Sequence, residues 1–274
     1  MNKIYIFSDY FTPAYRAGGP IKSLLLLVKE MSRYCKVSVY TRYCDIDRIP
    51  FDESDVAKTK LNLLDFCQLN YLFDDGFLFL KIIRDLVSNP PDTIYLNSFF
   101  SFKFSILPLL VSKLILRNII IVISPRGELS YGALSIRPIK KMLYIQFFRF
   151  FIYKKHIKFH FTSQNEAEEV LSKKSFKHIR YFISPNLVEP IVRMEHTLFI
   201  KSTDSLRIIY YSRISPKKNL LFFLNILLKC NLRIHFDIYG YIDDTRYWDE
   251  CLAVINLLPY NITANYCGAI SREI

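Results

Sequence analysis

Short apolar runs alternate with longer stretches of helical apolar spacing along almost the whole chain, and this rhythm restricts the fold more than any other feature. Residues 3–8, 36–41, 93–96, 119–123, 158–162 and 179–183 read as short, mostly apolar strands. Between them, residues 21–31, 77–87, 101–116, 138–153 and 165–173 repeat apolar side chains at helical spacing. Strands joined by helical crossovers run parallel, and strands of near-continuous apolar character need cover on both faces. The polar, charged stretch 45–65 interrupts the rhythm and reads as a long irregular connection. A second break at 188–205 carries Pro190, mixed charges and a Lys-Ser-Thr-Asp-Ser cluster, the composition of a linker. The alternation then restarts with strands at 206–211, 233–239 and 262–266 and helices at 219–229 and 246–257. The chain is therefore expected to be α/β, with two Rossmann-like parallel-sheet domains at 1–187 and 206–274.

Composition agrees with that class. A chain of 274 residues that is 51% hydrophobic and 23% charged can build two ordinary cores and is neither disordered nor fibrous. Mean hydropathy is +0.15, high for a water-exposed protein. The most apolar stretch, 104–124, contains Lys113, Arg117, Asn118 and an early Pro108. A bilayer span needs ~20 apolar residues without central charges, so a buried helix followed by a buried strand fits better. Lys3 precedes only a short apolar run that Asp9 ends, so no secretory leader is expected. The six cysteines form no Cys-x-x-Cys pair and read as reduced thiols of a cytoplasmic protein. The five histidines make no pair at metal-ligand spacing, so neither a metal nor a cofactor is expected.

The net charge of +12 is unevenly spread. Arg137, Lys140, Lys141, Arg149, Lys154, Lys155 and Lys158 lie among aromatic and aliphatic residues, with no acid between Glu128 and Glu166. Three readings of 137–158 stay open: a packed helix with a solvated basic side, a membrane-surface helix, and a nucleic-acid groove. The apolar content is too broad for one exposed nucleic-acid stripe, so nucleic acid is not expected as a partner.

The seven glycines and one basic turn supply the candidate site. Gly18 and Gly19 sit in the loop between the first strand and its helix, where backbone amides can approach a ligand closely. The loop is not Gly-x-G-x-x-Gly, which removes support for dinucleotide chemistry, and no nucleoside-triphosphatase loop is present. Arg213-Ile-Ser-Pro-Lys-Lys218 follows the strand at 206–211 and precedes a helix. In open α/β sheets that corner binds ligands, and a helix amino end favours anions. A phosphate or diphosphate suits two cations there. A solvated basic turn and a plain glycine turn are the alternatives.

Several motifs in order resemble glycosyltransferase family 4, retaining nucleotide-sugar enzymes of the GT-B fold. The resemblance runs through Ser8-Asp-Tyr-Phe-Thr-Pro13 with Ala17-Gly-Gly-Pro20, Ser124-Pro-Arg-Gly-Glu-Leu129 and Phe161-Thr-Ser-Gln-Asn-Glu166. It continues through Ser184-Pro-Asn-Leu-Val188, the Arg213–Lys218 turn, Asp237-Ile-Tyr-Gly-Tyr241 and Tyr266-Cys-Gly268. It implies that Arg213 and Lys218 neutralise the donor diphosphate, and that Gly18 and Gly19 line the cleft. Arg126 falls where many relatives place a histidine facing the donor sugar, which implies a sugar or acceptor contact. It further implies a nucleotide-sugar donor, a glycan or lipid-linked acceptor, no metal, and a setting in bacterial cell-surface polysaccharide assembly. With such an acceptor, 137–158 suits a peripheral contact at the inner face of the membrane.

One departure shapes the expectation. The family's paired-glutamate segment, which holds the donor sugar and ribose, has no counterpart before Ile274. The second domain is thus expected to be incomplete, with an uncovered sheet edge, exposed apolar surface, unassigned catalytic carboxylates and little turnover by this chain alone. A non-catalytic docking module derived from such an enzyme is the first alternative. A basic Rossmann-like nucleic-acid-binding protein is the second.

Overall fold

Each crossover helix returns the chain to the same edge of its sheet, so every strand pair forms in parallel. The computed structural model describes residues 2–14, 16, 19–73, 78–116, 119–152, 156–189 and 205–270. The chain divides into two compact units, Met1–Ile191 and Val192–Ile274. The expected linker at 188–205 lies mostly outside the described residues.

The first unit holds strands β1 (Lys3–Phe7), β2 (Lys36–Arg42), β3 (Gln68–Leu72), β4 (Thr93–Leu96), β5 (Ile120–Ile123), β6 (Ile157–Phe161) and β7 (Tyr181–Ile183). They form one sheet in the order β3-β2-β1-β4-β5-β6-β7. The direction of winding reverses between β1 and β4, and ligands of open α/β sheets bind at the carboxyl ends of the strands beside such a reversal. The helices are α1 (Gly19–Met31), α2 (Glu53–Asn62), α3 (Leu78–Ser88), α4 (Leu107–Ile115), α5 (Tyr131–Leu134), α6 (Pro138–Ile152) and α7 (Gln164–Leu171).

Alternation along the strands feeds two cores. Ile4 and Ile6 of β1 join Val37 and Val39 of β2 and Leu24 and Val28 of α1 on one face. Tyr5 and Phe7 join Ile82 of α3, Leu109 of α4, Phe148 of α6 and Val170 of α7 on the other. Both faces of this sheet carry a core, as its apolar strands require, except at edge strand β7, where Tyr181, Phe182 and Ile183 are exposed. The stretch 45–65 departs from the expected irregular connection: it contains α2, and β3 follows it. Within α2 only Val56 is buried, so it lacks the apolar periodicity that announces a helix. The region expected as one helix at 101–116 begins as a π-helical turn at Phe102–Ile106, capped by Ser101 and followed by Pro108 in the first turn of α4.

The second unit has β8 (Leu206–Tyr211), α8 (Leu220–Leu227), β9 (Ile234–Tyr239), α9 (Thr245–Ile255) and β10 (Ile262–Gly268), with sheet order β10-β9-β8. Leu220, Leu224 and Leu227 of α8 and Tyr247, Trp248 and Cys251 of α9 pack on Ile234, Phe236 and Ile238 of β9. The two helices therefore cover the same face. The opposite face aligns Arg207, Ile209 and Tyr211 of β8 with His235, Asp237 and Tyr239 of β9. Cover on both faces was expected from the strands, but β9 alternates apolar and polar residues, the pattern of a half-covered sheet. Ile209 on that face of β8 is 68% exposed.

Candidate functional site

At the carboxyl ends of the first unit's strands, one hydrogen-bonded chain crosses the sheet. Ser8, just past β1, donates its hydroxyl to the Tyr10 carbonyl at 2.9 Å and accepts from Asn97 Nδ2 at 3.2 Å. Asn97 follows β4, so this contact bridges the reversal point itself. Asn97 Oδ1 in turn accepts from Arg126 Nε at 2.8 Å. The Arg126 guanidinium also donates to the Asn186 side chain and, at 3.3 Å, to the Tyr95 hydroxyl. All three acceptors are neutral, so the fork is held in place without being discharged.

The hydrogen bonds assign the His160 tautomer. A guanidinium only donates, so the Tyr95 hydroxyl accepts from Arg126 and spends its own proton on His160 Nδ1 at 2.7 Å. Nε2 then carries the ring proton and donates to the Ser184 carbonyl at 2.9 Å. The imidazole is neutral, and burial pulls its pKa below the ordinary 6.5; the Ser184 carbonyl opposes that shift, Arg126 adds to it and Glu166 opposes it. Phe182 stacks on the ring at 4.9 Å with planes 7° apart.

Two carboxylates hold the loops that carry Arg126. Glu166 accepts from the Gly127 amide, the Thr162 amide and the Thr162 hydroxyl, each at 2.8 Å. It thereby ties the loop after β5 to the start of α7, whose amino end Ser163 caps. Arg126 and Gly127 both have positive φ, 52° and 76°, which turns the chain sharply at this point. Glu128 accepts from the Phe99 and Phe100 amides at 2.6 and 3.0 Å and from the Ser98 hydroxyl at 2.9 Å. Burial raises its pKa above the ordinary 4.5 even though these donors pull the other way.

A hollow of about 530 Å³ lies at the opposite, amino edge of the sheet, beside Lys3, Lys36, Gln68 and Asn89. It lacks a comparable network and sits where open α/β sheets do not bind ligands.

The second unit builds its corner from backbone. Ser212 N donates to the Tyr239 carbonyl at 3.1 Å and Ile214 N to the Tyr241 carbonyl at 2.8 Å, which clips the turn after β8 to the end of β9. Gly240 allows this approach: a Cβ there would lie 1.8 Å from the Ser212 carbonyl oxygen. Arg213 is exposed and pairs with Asp243 at 3.5 Å. Lys218 is exposed and ends a 3-10 turn, Pro216–Lys218. The helix expected from 219 starts one residue later, because Asn219 adopts φ 55° and separates that turn from α8. One amide at the amino end of α8, Leu221 N, donates to the Tyr247 hydroxyl at 2.9 Å.

The structure thus places Arg213 and Lys218 on one turn of the second unit, and Arg126 at the carboxyl ends of the first unit's strands. Gly19 opens α1 on that same edge; Gly18 lies outside the described residues. Sequence reasoning missed Tyr95, Asn97 and His160, and quoted Glu128, Glu166 and Asn186 within motifs without giving them roles. Tyr95 and His160 lie inside strands β4 and β6, where aromatic rings read as core, so no local signal marks them. Among the described residues no group of three or more His, Cys, Asp or Glu could hold a metal ion.

No protein-family model matches the sequence, and no curated protein matches it. Solved structures do. The chain is similar to Anabaena Alr3699/HepE in complex with UDP, at 14% identity over 99% of this chain and 70% of that one, with a TM-score of 0.60. It is similar to the lipopolysaccharide outer core galactosyltransferase WaaB in its apo form, at 11% identity over 99% and 69%, with a TM-score of 0.56. It is also similar to the trehalose-6-phosphate synthase OtsA, at 12% identity over 100% and 75%, with a TM-score of 0.53. The α/β fold with its parallel sheets is that of the GT-B glycosyltransferases.

Proposed function

We propose that the protein is a nucleotide-sugar-dependent glycosyltransferase of retaining, family 4 type. It would move a sugar from a nucleoside-diphosphate donor to a glycan or lipid-linked acceptor of bacterial cell-surface polysaccharide assembly. The observation that carries this reading is the Arg213–Lys218 turn, held at the carboxyl end of β8 by the close approach that Gly240 permits. Negative charge grows on the leaving diphosphate as the glycosidic bond breaks, and fixed cations stabilise it without reorganising. Arg213 supplies a planar fork and Lys218 a point charge, so no metal is required in this scheme. Asp243 holds Arg213 in place beforehand and shares it with the incoming phosphate.

In the first unit Arg126 is the proposed contact to the transferred sugar or the acceptor, since its guanidinium is oriented by three neutral groups. Gly18 and Gly19 are proposed to bring backbone amides to the cleft. The UDP held by HepE and the galactosyltransferase name of WaaB support the nucleotide-sugar class of the donor, not these residue roles, by likeness of fold.

Calorimetric titration with UDP, GDP and ADP tests it. One of these should bind, and Arg213→Ala and Lys218→Ala should each weaken binding by about tenfold or more, the scale of a charge-assisted hydrogen bond. A folded protein that binds none of the three, or binds one equally well in both variants, would refute the reading.

A further inference from the structure

Helix α6 is apolar on two opposite sides. Its inner side, Tyr144, Ile145 and Phe148, packs against the first unit's core. Successive residues turn by ~100° around a helix, which places Ile139, Met142 and Leu143 together on the outer side. These three are 75%, 64% and 67% exposed. Ile136, two residues before the helix, is also exposed. Lys140 falls along one border of the stripe and Arg149 along the other, and both are exposed. No acid occurs between Glu128 and Glu166 to offset them. A surface helix with a second, outward apolar side leaves that side without cover, since ordinary surface helices put polar residues outward.

The chemistry of the stripe selects its partner. Its exposed apolar residues are aliphatic except Phe147, 48% exposed beside the Lys140 border, and Gln146 is the one polar residue among the described ones. Single-stranded nucleic acid instead stacks on a series of exposed aromatic faces. A second copy docked isologously would bring the cationic borders of both stripes together, which is repulsive. Aliphatic side chains bordered by lysine and arginine suit the interface of an anionic bilayer, where the stripe sinks below the headgroups and the cations meet them. Among the described residues no helix is long and apolar enough to cross a membrane, so the contact would be made from the surface.

We propose that the outer face of α6, centred on Ile139, Met142 and Leu143, docks the protein on anionic phospholipid. The proposal stands apart from the transferase reading. It narrows the basic segment 137–158 to one face of one helix. It also places that contact at the sheet edge that carries Arg126, because α6 begins a few residues after the Arg126 loop and runs back from that edge.

Co-sedimentation with phosphatidylglycerol–phosphatidylcholine vesicles, against pure phosphatidylcholine vesicles, tests the surface. The protein should pellet with the anionic vesicles and much less with the neutral ones. Combined Ile139→Ser, Met142→Ser and Leu143→Ser should weaken partitioning by about tenfold or more, and so should Lys140→Glu with Arg149→Glu. Lys58→Glu with Lys60→Glu, an equal charge change on exposed positions of α2, should leave binding unchanged. Circular dichroism checks each variant, and if the serine variant does not fold, the charge variant decides. Three results would overturn the proposal: no binding by the folded protein, an equal loss in the α2 control, or self-association that the serine changes abolish without any vesicle binding.

Discussion

Arg126 was legible from its Pro-Arg-Gly context, but the neutral partners that orient its guanidinium were not. Those groups come from β4, from the segments after β4 and β7 and, one hydrogen bond further on through Tyr95, from His160 of β6; they lie far apart in sequence, and only the folded sheet brings them to one edge. His160 is the most telling of them, because burial holds its pKa below 6.5 and its neutral form is the one the network uses. The unfolded chain therefore takes up the proton first as pH falls. The stability that His160 contributes is fully present above pH 6.5 and is lost as pH drops through the lower folded value. Glu128 has the opposite sign, since its raised pKa makes the ionised form costly above 4.5. His160→Phe leaves the Tyr95 hydroxyl and Ser184 carbonyl without their partner and should cost roughly 1–3 kcal/mol at pH 8. Because Glu128 is common to both proteins, the gap between variant and parent should shrink as pH falls below 6.5. Urea titrations at several pH values measure it, and a gap that does not change with pH would count against the neutral-histidine assignment.

Among the elements, the turn between β8 and α8 was visible as a basic strand-to-helix junction. Its actual form was not, because the left-handed Asn219 and the tie to β9 depend on a neighbouring strand. Gly240 is where that tie is most demanding, with φ 155° and backbone atoms of Ser212 in the space a methyl group would take. Gly240→Ala should destabilise the second unit by about 2–4 kcal/mol, the range of strained backbone with an unavoidable clash. Denaturant unfolding followed through Trp248 fluorescence would show it, and a variant of parental stability would mean that the approach is not required. The two elements missed between 45 and 72 each carry a weak apolar signal. Helix α2 buries a single side chain and so shows no apolar helical period. Strand β3 is an edge strand of five residues whose polar–apolar alternation, Gln68-Leu69-Asn70-Tyr71, is too short to stand out from the polar stretch before it. At α6 the problem was reversed: periodicity located the helix, but its two apolar sides could not be told apart until one was seen packed on the core.

Over the whole molecule the two units differ in how they are covered. The first packs a core on each face of its seven-stranded sheet, leaving edge strand β7 exposed, whereas the second buries one face of three strands. A smaller core removes a smaller share of its surface from water, so the second unit should be the less stable. The single tryptophan, Trp248, lies in the second unit's core against Tyr266. Its fluorescence should therefore change at lower urea than far-ultraviolet circular dichroism, which weights the larger first unit. Coincident transitions would show that the two unfold as one. By itself the sequence determined the α/β class, the parallel pairing and the restart of the pattern after residue 205, because these follow from local periodicity and from the length of helical crossovers. It also marked Arg213 and Lys218, since charged residues at strand ends stand out against apolar runs, and Arg126 through its resemblance to a family motif. The tertiary structure alone decided which buried groups hold Arg126, which tautomer His160 takes, and which side of α6 stays outside. Those outcomes depend on burial and on neighbours distant in the chain, and a buried tyrosine or histidine looks the same in sequence whether it packs or holds a proton.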